Sequence, residues 1–306
     1  MATATLLLPA RSRFPAAPLP DDVAKALGRA ERSSVQAGED AQLQRHFQLQ
    51  PAHWPVAALT RQLDVGDAGE AIWLRADPAH VVPDMQGARM MGHGDTLRPD
   101  AEDVAQLLPA LQPLFAGFGF TLDAPVPSRW YLRLPPGTTL PVFDSPDDVL
   151  GDDLFTHLPE GDAGRRWRAL LTEAQVVLHT HPWNEQRTAA GKRAINSLWF
   201  WGGGQLPQAV HTPHAQVRSR EALLQALARA AGVHADGEQQ VDALVDLRQL
   251  RSLEQLGKDA IRPLLVAVQR GELRRLVLDF EDGVRFEIHK GQRWRFWKKP
   301  VQLHDT

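Results

Sequence analysis

Apolar positions along this chain change period several times, and the changes mark its elements. Thr3 to Leu8 is a short β-prone run closed by Pro9, and Pro15 to Pro20 is a stiff connector. Asp21 is placed to cap a helix running through Arg32, and Pro55 opens a second helix over Val56 to Leu63. Ala71 to Ala76 reads as a strand that delivers Arg75 and Asp77 at its end, with Asp77-Pro78 starting a turn. A helix beginning at Asp100 gathers Leu107, Leu108, Leu111, Leu114 and Phe115 on one face, and Pro109 and Pro113 are expected to kink or divide it. Arg129 to Leu134 alternates like a half-buried strand and stops at Pro135-Pro136-Gly137. After a Pro/Asp-rich loop, Trp167, Leu170, Leu171, Ala174, Val177 and Leu178 fall at helical spacing, predicting a helix from Gly164 to about Thr180.

The densest polar chemistry follows, from His179 to Gly204. It reads as a polar loop, a strand over Ile195 to Trp201 and a Gly-rich turn. On a strand, His179-Thr180-His181 would aim both imidazoles at one face as metal ligands. At the end of a helix they diverge, and only His211 and His214 are grouped closely enough to join them. Arg187 can grip a phosphate or carboxylate with two parallel hydrogen bonds, and Gly202, Gly203 and Gly204 let backbone N–H groups approach an anion. His181, Asn184, Lys192 and Asn196 complete this candidate ligand-binding set, and Arg75 and Asp77 join it because α/β folds place ligands at carboxyl ends of strands. The competing explanation is structural throughout: a tight turn after a buried strand, and an ordinary capping pair at Arg75 and Asp77. No G-K-[ST] follows the glycines to complete a P-loop.

Beyond the glycines, Ser219 is a plausible N-cap for a helix from Arg220 to Ala231 that Gly232 ends, and Val241 to Leu247 is a candidate strand. Ser252 to Gly271 is mostly helical despite Pro263. Leu273 to Phe280, Val284 to His289 and Arg293 to Trp297 then predict a C-terminal antiparallel three-stranded meander, joined at Asp282-Gly283 and Lys290-Gly291. Its bases, among them Arg285, Lys290, Arg293, Lys298 and Lys299, interleave with Trp294 and Trp297. Such a pattern suits either stacking of nucleic-acid bases or a charged edge that blocks sheet-to-sheet pairing.

Composition narrows the choice. The 306 residues, 43% of them hydrophobic, allow one large domain or two ordinary ones, and a division into 1–215 and 216–306 is expected unless the chain forms one continuous domain. The formal charge of −3 argues against a general nucleic-acid binder. The lack of cysteine removes thiolate catalysis and Cys-ligated zinc. No apolar run approaches the ~18 residues of a membrane span, and the opening lacks the pattern of a signal peptide, so a soluble, cytoplasmic protein with no membrane partner is expected.

The order of motifs WLRADPAHV, WYLRL, LGDDLFTHLPEG, RRWRALLTEAQVVLH, HPWNEQR and INSLWFWGGG, with LDFEDG and RFWKKP closing the chain, resembles the RpfE-type proteins, bacterial regulators of pathogenicity factors. More distantly, Pro182, Asn184 and Arg187, then Gly191, Asn196, Trp199, Gly202 and Gly204, are similar to stretches of archaeal-type cofactor-independent phosphoglycerate mutases of the alkaline phosphatase superfamily. The second resemblance implies an α/β fold, a mixed sheet flanked by helices. Those mutases use an early Asp-Gly, a phosphorylatable Ser or Thr, and late Asp and His metal ligands. Here the first strand ends in Leu8-Pro9-Ala10, and no H-x-G-H or D-x-x-G-H follows Gly204. Together the resemblances imply a degenerate mutase scaffold: a regulatory pseudoenzyme with no catalytic residue, metal or cofactor, whose partner is a small anionic metabolite or a protein. The rivals are an active phosphomutase or phosphatase using other residues, and a pure interaction module built on a tryptophan-rich surface.

Overall fold

A computed structural model describes residues 2–85, 87–233 and 242–305. The strands are β1 (Ala2–Leu8), β2 (Glu31–Ser34), β3 (Gln48–Gln50), β4 (Ile72–Asp84), β5 (Gly87–His93), β6 (Thr121–Val126), β7 (Arg129–Leu134), β8 (Ser197–Gly204), β9 (Ala209–His211), β10 (Gln216–Arg218), β11 (Ala243–Asp246), β12 (Leu273–Phe280) and β13 (Val284–His289). The α-helices are α1 (Asp21–Arg29), α2 (Glu39–Gln44), α3 (Val56–Asp64), α4 (Ala101–Gly117), α5 (Pro146–Val149), α6 (Gly161–His179), α7 (Trp183–Ala189), α8 (Ala222–Ala230), α9 (Leu253–Gln255) and α10 (Arg262–Arg270). Sheets flanked by helices make this a mixed α/β protein, and among the described residues no helix is long and apolar enough to cross a membrane.

The chain forms two compact units, a split one made of Met1–Gln50 and Ala209–Thr306, and an inserted one made of Pro51–Gln208. A boundary near residue 215 therefore does not separate them. The C-terminal strands are not a module of their own, because β12 pairs along the whole length of β1.

In the split unit the sheet runs β10-β11-β1-β12-β13-β2, with the first four strands parallel and the last two antiparallel. β1 is central and buried along almost all of its length, as its unbroken Leu6-Leu7-Leu8 requires of a parallel strand covered on both faces. Leu6, Leu8, Val23, Leu27, Leu265 and Phe286 belong to its main core. The expected meander forms only in part. β12 and β13 make the hairpin, but the third place is taken by β2, and Lys290–Trp294 coils into a 3-10 turn. Trp294, Phe296 and Trp297 are exposed, so a third strand there would have had no apolar face to bury. β2 also ends the first helix at Arg29, short of Arg32.

The inserted unit is antiparallel around β4, which pairs with β7 and β5 along one edge and with β8 along the other. Its alternation sends Trp73 to a small cluster with Ala57 and Ala58 of α3, and Leu74 and Ala76 to the main core with Leu111 of α4 and Leu170 of α6. β4 runs to Asp84 instead of turning at Asp77-Pro78. Pro78 falls in the gap between the β7 and β5 pairings, where its missing N–H forfeits no ladder bond. α4 is undivided although Pro109 and Pro113 lie inside it; both sit on its exposed side, where the carbonyls left without an N–H partner, those of Ala105 and Pro109, can be met by water.

Candidate functional site

Within the inserted unit, each residue expected to bind an anion is already engaged. Arg187 lies on α7, a short helix where the sequence suggested a loop, and is 2% exposed. Its guanidinium pairs with Asp103 and donates to the carbonyls of Leu97 at 2.9 Å and Arg193 at 3.0 Å, which leaves no side of the fork free. Asp103 is the N3 residue of the α4 capping box, and it also accepts from the Trp183 indole at 2.7 Å. Lys192 bridges to Asp100 at the same helix start. Asn184 donates to the carbonyls of Leu178 and Ile195 and accepts from the Ile195 N–H, so it staples α6 to the entry of β8. Asn196 clamps the backbone of Val81 on both sides, and His181 accepts the Trp183 N–H at 3.2 Å.

The glycines are neither a turn nor an anion cradle; they are the last three residues of β8. A Cβ on Gly202 would stand 2.8 Å from Val56, one on Gly203 2.5 Å from Leu140, and one on Gly204 2.4 Å from the His53 ring. Gly202 therefore lets α3 lie close against the strand, and Gly203 and Gly204 make room for side chains. Arg75 and Asp77, buried in the middle of β4, hold each other through two 2.8 Å bonds. Asp77 also takes the Trp201 indole at 2.8 Å, while Arg75 lies over the rings of Tyr131 and Trp201. The structure does not converge these residues on a cleft. Each has a partner or a close neighbour within the protein, and the anion pocket expected around Arg187 and the glycines is corrected to a set of internal staples, buried at Arg75, Asp77, Asn184 and Arg187 and half-buried at the rest.

The split unit has its polar chemistry at the carboxyl ends of its parallel strands, the place that topology favours for ligands. Asp279, near the end of β12 and fully buried, takes Arg45 through bonds of 3.1 and 2.7 Å and His46 Nε2 at 3.0 Å. Across the ring, His46 Nδ1 lies 3.0 Å from His214 Nε2. On the other side of β1, across Leu7 from Asp279, Asp246 ends β11 and accepts from Arg248 at 2.9 and 3.1 Å and from the Ser219 hydroxyl at 2.7 Å. Arg248 reaches on to Glu221 and Glu39, so three carboxylates surround one buried guanidinium.

The electrostatics follow from these contacts. Burial pushes the Asp279 carboxyl up, but hydrogen bonds from His46 and Arg45 outweigh it and hold the group below the usual carboxylate range. Asp246 behaves the same way under Arg248. His214 is pushed down to about 4, first by burial and then by the charge of His46, with Asp242 opposing. An ionised Asp279 makes His46 Nε2 a donor, and the contact between His46 Nδ1 and His214 Nε2 carries a single hydrogen, so the carboxylate and the two rings form one hydrogen-bonded chain. Among the described residues no three His, Asp or Glu side chains are placed to hold a metal ion. The donor set explains it: guanidinium groups already neutralise both strand-end aspartates.

The sequence did not single out His46 or Asp279, and His214 stood out only beside His211, which is exposed. The one available signal was an aspartate inside the apolar run LVLDF, a charge that a buried strand carries only when paired.

No family model matches the chain. Over 63 residues it is 38% identical to a probable 2,3-bisphosphoglycerate-independent phosphoglycerate mutase of Geobacter sulfurreducens and, equally, to that mutase of Methanosarcina mazei. The matched stretch is 21% of this chain and spans only 16% of the length of those relatives. Among solved structures, the cofactor-independent phosphoglycerate mutase of Thermoplasma acidophilum is similar with a TM-score of 0.42 at 16% identity, over 94% of this chain and 89% of that one. The PH0037 protein of Pyrococcus horikoshii is similar with a TM-score of 0.47 at 12% identity, over 98% and 90%.

Proposed function

We propose that this is a cytoplasmic regulatory protein on a degenerate mutase-like scaffold, without mutase chemistry, that responds to a small phosphorylated or carboxylated metabolite. Its output is the bacterial regulation that the RpfE-type resemblance implies. One observation carries the loss of chemistry: Arg45 and Arg248 occupy the strand-end carboxylates, Asp279 and Asp246, that a metal-dependent phosphoryl transfer would need open. Opening such a pair by removing one member costs about 3–5 kcal/mol, so a metal ion would have to displace a well-held cation. Elemental analysis combined with an assay for interconversion of 2- and 3-phosphoglycerate tests this. The expected result is no stoichiometric divalent metal and no turnover with or without added Mn. Two metal ions per chain with Mn-dependent turnover would overturn it.

A second function is favoured by a separate observation, the neutral His214 backed by His46 and Asp279. This hydrogen-bonded chain would carry a proton in a metal-free hydrolysis, with His214, held neutral and only weakly basic, as its outer end. Turnover of an activated ester that His214→Gln abolishes would select this alternative.

A further inference from the structure

Not every cation of the split unit is neutralised. Between α1, α10 and the 3-10 turn after β13 lies a cavity of about 220 Å³. Lys25, Arg29, Lys290 and Arg293 line it. Among the described residues none of these four has a carboxylate within ion-pair distance, whereas Arg45, Arg75, Arg187 and Arg248 each have one. The one acidic lining residue, Asp22, is taken by Arg262 through two bonds of 2.7 Å. Lys25 and Arg29 stand one turn apart on α1, a spacing at which like charges repel. Arg29 Nε is buried with no hydrogen-bond partner, a costly arrangement that a bound acceptor would relieve. Ala26, Leu265, Val268 and Ile288 give the same cavity an apolar wall.

We infer that this cavity is a binding site for a small organic anion, with a phosphate or carboxylate head held by Arg29 and Lys290 and an apolar body against Leu265 and Ile288. The inference rests on the metabolite-binding function proposed above and gives that function an address. The volume is below the roughly 300–1,000 Å³ of sites that take drug-sized ligands, so the occupant is compact. The polar head goes to the cations because a guanidinium and an ammonium supply charge-assisted bonds that water alone cannot match in a partly dry cavity. The wall makes an organic ester or acid a better fit than an inorganic ion.

Calorimetric titration of the full chain with phenyl phosphate, benzoate and inorganic phosphate tests this. The expected result is one site per chain for phenyl phosphate or benzoate, with inorganic phosphate weaker by at least about tenfold because it leaves the apolar wall unfilled. Arg29→Met and Lys290→Met should each weaken the organic anion by about tenfold or more, the loss of one charge-assisted bond. Lys290 is exposed, so Lys290→Met should keep the wild-type melting temperature and separates a binding defect from a folding defect. Unchanged affinity in both variants would remove the site while leaving metabolite binding elsewhere intact. If inorganic phosphate binds as tightly as phenyl phosphate, the organic-anion assignment fails. If the wild-type chain binds none of the three, both the site and the metabolite function fail.

Discussion

Arg187 in the inserted unit and Arg29 in the split unit carry the same charge under opposite conditions. Arg187 is buried against Asp103 and two carbonyls, and its guanidinium is satisfied by the protein alone. Arg29 lines a cavity with three other cations and has a buried Nε without a partner. The first arrangement is complete as it stands; the second is completed by something added. An arginine near a glycine run therefore says little about binding until the carboxylates around it are known. The distinction has measurable consequences in stability and in pH dependence.

The largest effect belongs to the completed pair. Arg187→Ala should cost about 3–5 kcal/mol in urea unfolding, because it removes the main cationic partner of the buried Asp103 and leaves it only Lys192 at 3.8 Å. Replacing both partners by apolar residues, Arg187→Met with Asp103→Leu, should recover much of that loss. A stability loss within about 0.5 kcal/mol for Arg187→Ala would break the comparison, since it would put Arg187 in the class of replaceable surface cations.

His214 sharpens the contrast from another side, as a buried group kept uncharged. Its folded value near 4 lies below the ordinary 6.5, so the neutral form is the one the fold prefers. Stability from this group is full above pH 6.5. Below that the unfolded chain takes a proton that the folded chain refuses, and stability falls until the fold accepts the proton near pH 4. The loss over that window is up to about 3 kcal/mol. His214→Gln should flatten this part of the stability profile, and an undiminished slope in the variant would assign it to other groups.

A smaller effect is expected from the glycines. Gly203→Ala drives a methyl into the side-chain ends of Leu140 and Leu74, 2.5 and 2.9 Å away. Overpacking of this kind costs about 1–3 kcal/mol. Anion affinity measured in parallel should stay at the wild-type level. A loss of affinity with unchanged stability would return the glycines to the binding site from which their packing removes them.

What the sequence disclosed follows the range of the interactions involved. β1, β7 and α6 were legible because their apolar period is local and long enough to count. β2 was not, since its residues Glu31–Ser34 are all exposed and only the far hairpin makes them a strand. α7, seven polar-rich residues after Pro182, was too short to show a period. β4 was cut at Pro78, whose compatibility with a strand depends on which neighbours happen to be absent there. The same logic governs the sites. Arg187 meets an aspartate 84 positions upstream, and His46 meets Asp279 across 233 positions, so neither pairing leaves a local trace. The cavity joins Lys25 and Arg29 to Lys290 and Arg293 from opposite ends of the chain. Half of it was visible as a basic run near the C-terminus; that its one carboxylate, Asp22, is taken by Arg262 was not.

The pairing of β3 with β9, where Gln50 faces Ala209, closes a loop at whose base the inserted unit leaves and returns. On the ribosome this sets an order of birth. Every strand partner of the inserted unit has been made by Gln208, whereas Leu6 of β1 waits for Val245 and Leu278. At roughly 5–20 residues per second that wait lasts on the order of ten seconds to a minute. Through it the triple leucine of β1 has neither of its neighbouring strands to pair with, while every strand of the inserted unit already has its partners. Assembly thus starts with the inserted unit, and β1, made before every other strand described here, is among the last of them secured.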